Sequence, residues 1–139
     1  EYLRTSLRGG VLRALSDNLR RSSVGLGIFE IGRVFLPRIQ DLPEEREMLF
    51  AAFSGNRGES LWDSEDAGLD FFDAKGVLNG IFDMLGSGFE VERMKDPLFH
   101  PGRCAKILVE GTPIGLIGEL LPGTINAFEI PNQIANQIA

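Results

Sequence analysis

Apolar residues in this chain recur in two rhythms, one of four residues and one of two, and the changes of rhythm mark its elements. Leu7, Val11, Leu15 and Leu19 return every fourth residue with Leu12 beside them, which draws one apolar stripe along a helix. A hydroxyl at Thr5 or Ser6 is placed to cap its start by accepting from a free N–H of the first turn. Arg20 and Arg21 fall where the helix dipole favours cations. Gly9 and Gly10 weaken the first turns by about 1 kcal/mol each relative to alanine, which points to tight packing or an irregular start.

The rhythm then shortens to two. Leu26–Phe35 and Met48–Ser54 are short and rich in Phe, Ile, Val and Leu, the pattern of paired strands. Alternation puts Phe29, Ile31, Arg33 and Phe35 on one face, expected to be core, and Ile28, Glu30, Gly32 and Val34 on the other. That second face has two readings. Glu30 and Gly32 form the floor of a cleft, where the missing Cβ lets another group approach, or Gly32 marks a bulge and Glu30 is solvated. The connection from Leu36 to Glu47, with Pro37, Pro43 and several carboxylates, reads as a mobile polar loop. Asn56–Gly68 is a second polar connection, in which Trp62 is expected to plug the edge of the core.

Asp70 caps the clearest helix. Ala74, Val77, Leu78, Ile81, Phe82 and Leu85 hold helical spacing and Gly86 supplies the stop. Gly76 and Gly80, one turn apart, suggest that another element packs closely on that side. Phe89–Glu92 is a short strand, and Asp96-Pro97 and His100-Pro101-Gly102 are turn chemistry. Cys104–Glu110 and Ile114–Leu120, joined through Glu110-Gly111-Thr112-Pro113, predict a second hairpin. Pro122 opens a short helix over Thr124–Phe128. The order predicts an α+β fold with mostly antiparallel strands and helices grouped to a side. One domain is expected over residues 1–130, with 131–139 a ragged, uncharged tail.

At 139 residues, 43% hydrophobic and 24% charged, the chain is long enough to bury a substantial core. No apolar run approaches the roughly 20 residues of a membrane-spanning helix, and no membrane partner is expected. Residue 1 falls inside a pattern without an initiator Met, so the chain reads as part of a longer protein. Cys104 is the only cysteine, so no internal disulfide is possible and a cytoplasmic location is the simpler expectation. Residues 1–38 hold seven arginines against three carboxylates, net +4, leaving −10 for the rest. Without clustered lysines or interleaved aromatics, that basic end reads as solvated helix surface rather than a phosphate-binding face.

Candidate chemistry is sparse. His100 and Cys104 lie four residues apart but lack the third and fourth ligands of a zinc site. Cys104 opens a strand among apolar neighbours and reads as a packing residue. No phosphate-binding glycine loop is present. The residues therefore offer no self-contained catalytic, cofactor or metal site. An independent small-ligand enzyme using Glu30, Arg33 or Cys104, or an RNA-binding module built on the basic helix, stand as alternatives.

Five stretches carry more information than their periodicity. Leu3-Arg4-Thr5-Ser6-Leu7, Phe29-Glu30-Ile31-Gly32-Arg33-Val34-Phe35, Asp70-Phe71-Phe72-Asp73-x-Lys75-Gly76, His100-Pro101-Gly102-Arg103 and Ile114-Gly115-x-Ile117-Gly118-Glu119-Leu120-x-Pro122 occur in this order. Together they resemble the β subunit of bacterial phenylalanyl-tRNA synthetase, in its class II synthetase-like core, over residues 2 to about 130. The resemblance implies a degenerate copy of a catalytic fold. It supports an α subunit that charges tRNA with phenylalanine using ATP and Mg, in a cytoplasmic assembly of two α and two β chains. The family's Phe-Arg-x-Glu motif would fall on Phe35-Leu36-Pro37-Arg38. Leu36 then stands where the arginine would hold the α-phosphate and substrate carboxylate, and Arg38 where the glutamate belongs. The resemblance thus implies part of a ligase whose own chemistry is lost.

Overall fold

The computed structural model describes residues 3–21, 25–55, 68–131 and 135–138. Its centre is a six-stranded sheet in the order β1-β2-β6-β5-β4-β3, with β1 Leu26–Arg38, β2 Asp41–Ser54, β3 Glu90–Arg93, β4 Phe99–Val109, β5 Thr112–Leu120 and β6 Ala135–Ile138. Every pairing is antiparallel. The helices among the described residues are α1 Arg8–Leu19, α2 Phe71–Leu85 and α3 Pro122–Ala127.

The helices lie on both faces of the sheet, not grouped to one side. Leu7, Val11, Leu12, Leu15 and Leu19 pack on Val34, Phe50, Ala52, Leu120 and Ile130, with Ile125 and Phe128 of the α3 region against the same cluster. On the opposite face Ala74, Leu78 and Phe82 pack on Ala51, Ala105, Ile107 and Ile117. Alternation along β2 explains the split, because Phe50 and Ala52 point to one core and Ala51 to the other. The two-layer expectation missed this because both faces of the central strands are apolar.

Local chemistry explains the helix ends. Asp70 accepts from the N–H groups of Phe72 and Asp73, and the Asp73 carboxylate accepts in return from Asp70 N at 2.7 Å, a reciprocal capping box. Gly86 closes α2 with φ 67°, a conformation that costs a glycine little. At α1 the N-cap position falls on Leu7, not on Thr5 or Ser6, and carries no side-chain capping bond; Ser6 Oγ, one residue ahead, accepts from Arg8 N at 3.1 Å. Gly76 and Gly80 face open space, so the close neighbour expected on that side of α2 is absent among the described residues.

Three further expectations are corrected. The outward face of β1 is the one carrying Phe29, Ile31 and Arg33, with Phe29 70% and Ile31 57% exposed, while Val34 is 1% exposed. Helix α1 covers the Val34 side, and the elements that α2 contacts most are β5 and β6, so it leaves the β1 end of the other face uncovered. Residues 36–47 do not form a loop. The two strands run on to a tight turn at Ile39 and Gln40, with Gln40 at φ 64° and a register shift between Leu36 and Arg38. Cross-strand ion pairs let charged residues sit on a solvated ribbon. Within the stretch expected as a ragged tail, Ala135–Ile138 forms β6 and fills the space between β2 and β5. Trp62 lies outside the described residues.

Candidate functional site

Of the places where polar side chains gather among the described residues, three bear on function, and the first is the β1–β2 hairpin. Phe35 and Leu36 are half-buried, and Leu36 packs against the α1 cluster. Arg38 points into solvent and is met by Glu44 Oε2 at 2.9 Å and Asp41 Oδ2 at 3.8 Å. Arg46 also bonds Glu44, at 2.6 Å, and Arg46 first, with Arg38 second, holds the Glu44 carboxyl below its usual range. The hairpin therefore offers an apolar residue at position 36 and a cation at 38 that its own strand partner already engages.

The second place is the face carrying Glu30 and Gly32, and the chain's own Arg4 lies across it. Arg4 Nη1 donates to Glu30 Oε1 at 2.5 Å and Arg4 Nε to Arg33 O at 2.8 Å. A side-chain carbon on Gly32 would collide with Arg4 Nη2, so the missing Cβ admits the guanidinium. Phe35 N donates to Arg4 O at 2.9 Å, which ties the segment ahead of α1 to the strand. Arg33 itself points outward and meets Glu45 at 3.2 Å.

The third place brings together Phe71, Arg103 and Glu119, which the sequence shows only as members of separate stretches of the resemblance. Glu119 on β5 is buried, accepts from Phe71 N at 3.0 Å and receives Arg103 Nη1 at 2.5 Å. It fixes the start of α2 to the sheet and to the irregular stretch of β4. The carboxylate strengthens the hold of Arg103 on its proton. A cleft of about 420 Å³ opens here, lined by Phe71, Phe72, Val91, Arg93, Arg103 and Glu119 among others. The available signal was a lone carboxylate inside the apolar run Ile114–Leu120, which must find a partner if it turns inward.

His100 and Cys104 are given separate tasks. His100 Nδ1 accepts from Gly102 N at 3.2 Å and so braces the turn. Cys104 is 4% exposed; burial first, and the charge of Asp96 second, push its thiol above the usual value, opposite to what a nucleophile requires. No group of three or more His, Cys, Asp or Glu suited to a metal occurs among the described residues.

A family model described as the phenylalanyl tRNA synthetase beta chain CLM domain matches residues 1–136. The chain is 37% identical over 134 residues to the phenylalanine–tRNA ligase beta subunit of Dehalococcoides mccartyi strain 195, covering 96% of this chain and 17% of that one. It is 42% identical over 125 residues to the beta subunit from Halalkalibacterium halodurans, covering 86% and 16%. The chain thus spans about a sixth of the length of these curated relatives. Among solved structures, PylSc of Desulfitobacterium hafniense, a pyrrolysyl tRNA synthetase, superposes with a TM-score of 0.70 at 15% identity, over 97% of this chain and 45% of that one. At that identity the likeness speaks for the fold alone, which the chain shares with that synthetase.

Proposed function

We propose, since the chain belongs to the phenylalanyl tRNA synthetase beta chain CLM domain family, that it is a non-catalytic structural core within the β subunit of a phenylalanine–tRNA ligase. Its role is to present a stable synthetase-like surface to an α subunit, whose site charges tRNA with phenylalanine using ATP and Mg, in an assembly of two α and two β chains in the cytoplasm. The core takes in β6, Ala135–Ile138, together with the elements before residue 130. The phosphate-binding part of the ancestral site is gone.

The observation that carries this reading is the fate of the hairpin. Catalysis at a phosphate needs cations aimed at developing charge in a water-poor site. Here Leu36 sits against the α1 core, Arg38 is engaged by Glu44, and Glu30 is held by Arg4. The guanidinium groups of Arg4 and Arg38 are thus engaged by the chain's own carboxylates rather than aimed at a phosphate. Exposed Phe29 and Ile31 on β1, with Phe72, Met84 and Leu85 on α2, support a role in contact with other chains, because apolar surface of that extent is costly to leave in water.

The test is phenylalanine-dependent ATP–pyrophosphate exchange on the purified chain. Background exchange is expected. Exchange above background that Glu30→Ala or Arg33→Ala abolishes would overturn the reading in favour of an autonomous enzyme.

A further inference from the structure

The turn of the β1–β2 hairpin stands clear of both cores. From residue 37 to 47 every residue is exposed except Glu44, which is intermediate. Within this ribbon Ile39 is 94% and Leu42 82% exposed, two branched aliphatic residues on either side of Gln40 and Asp41. Turns of this kind are normally made from Gly, Asn or Asp. A pair of large apolar side chains there serves neither the turn nor a core of this chain.

The ribbon is stiffened around that pair. Arg38 bridges to Asp41 and Glu44, Arg46 to Glu44, and Arg33 to Glu45, while Asp41 Oδ1 accepts from Leu42 N at 2.7 Å. A preorganised tip loses little conformational freedom when it docks. Four carboxylates, Asp41, Glu44, Glu45 and Glu47, face three cations, Arg33, Arg38 and Arg46, so the ribbon is slightly acidic and its cations are paired. It offers no net positive charge to nucleic acid or anionic lipid. A second copy of this chain, itself at −6, is also a poor electrostatic match.

We propose that the hairpin tip is an anchor: Ile39 and Leu42 insert into an apolar socket with a Lys/Arg rim on a neighbouring protein chain of the assembly. The inference rests on the reading that the domain works inside a two-chain ligase. Branched aliphatic knobs filling a desolvated pocket, with charges at its rim, match the usual layout of a binding hot spot.

The experiment uses the complete β subunit assembled with its α subunit and purified. A photo-reactive benzoylphenylalanine placed at Ile39 is irradiated with and without tRNA, and the crosslinked peptide is mapped. The expected product joins residue 39 to another protein chain at a site flanked by Lys or Arg, regardless of tRNA. Crosslinks to tRNA alone, to the same chain alone, or none at all overturn the proposal. In parallel, Ile39→Asp with Leu42→Asp is expected to make the assembly dissociate on dilution at about tenfold or higher protein concentration than the parent, while Ile39→Leu with Leu42→Ile restores it. Because both side chains are exposed, unchanged circular dichroism serves as the folding control. Dissociation unaltered by the aspartates refutes the anchor; a parent that never assembles with an α subunit refutes the underlying functional reading instead.

Discussion

Glu119→Ala is the substitution whose cost follows most directly from the structure. The carboxylate joins β5 to the first N–H of α2 through Phe71 N and to Arg103. Removing it strands a half-buried donor, and an unsatisfied buried donor costs about 1–3 kcal/mol. Arg103 adds little, because its side chain is 60% exposed and water replaces the lost partner. That exposure separates this case from a fully buried ion pair, where losing one partner costs about 3–5 kcal/mol. The expected loss is therefore about 2 kcal/mol, and about 1 kcal/mol for Glu119→Gln, which keeps an acceptor for Phe71 N. Urea unfolding of the purified chain reads both as a shift of midpoint at unchanged slope. A loss below about 0.5 kcal/mol for the alanine variant would refute the latch, placing the Phe71 donor in water.

Two glycines should respond in opposite senses. Gly118→Ala puts a carbon 2.9 Å from Arg103 O and 3.0 Å from the buried Phe99 ring, so destabilisation of about 1–3 kcal/mol is expected. Gly76→Ala meets open space on α2 and should stabilise by about 0.5–1 kcal/mol; thermal melts of both variants decide, and equal shifts would contradict the packing described. The folded chain holds the Cys104 proton to higher pH than the unfolded chain does. Between those two pKa values the unfolded state binds fewer protons, so stability falls as pH rises above about 9.0. Urea midpoints from pH 7 to 10 should show a steeper alkaline decline for the parent than for Cys104→Ala, and superimposable profiles would contradict the burial.

The elements that could be read from the chain are those whose ends have their own chemistry. Asp70 and Gly86 bounded α2 because a capping carboxylate and a left-handed glycine act locally. The β4–β5 turn at Glu110 and Gly111, with φ of 49° and 77°, was legible for the same reason. What depended on distant packing was not. Alternation along β1 separates Phe29 from Val34 but does not say which faces α1, since both sides are apolar. Polar residues 37–47 resembled a loop because a ribbon stabilised by cross-strand ion pairs shows no apolar alternation. Strand β6 has no boundary signal and exists where β2 and β5 leave a gap. At the candidate site Glu30 and Gly32 were identified, but their occupant Arg4, 26 residues from Glu30, was not. The Glu119–Arg103 pair joins β5 to β4 and was equally invisible locally.

The central claim is that the chemistry of the ligase lies outside this domain. The most direct measurement is phenylalanine-dependent ATP–pyrophosphate exchange by the assembled ligase whose β subunit carries Glu30→Ala, Arg33→Ala and Arg38→Ala together. These side chains hold only partly or fully exposed ion pairs, so assembly should survive and the rate should stay within about twofold of the parent. A fall of about a hundredfold or more with assembly intact, the scale of losing a group that stabilises a transition state, would contradict the account.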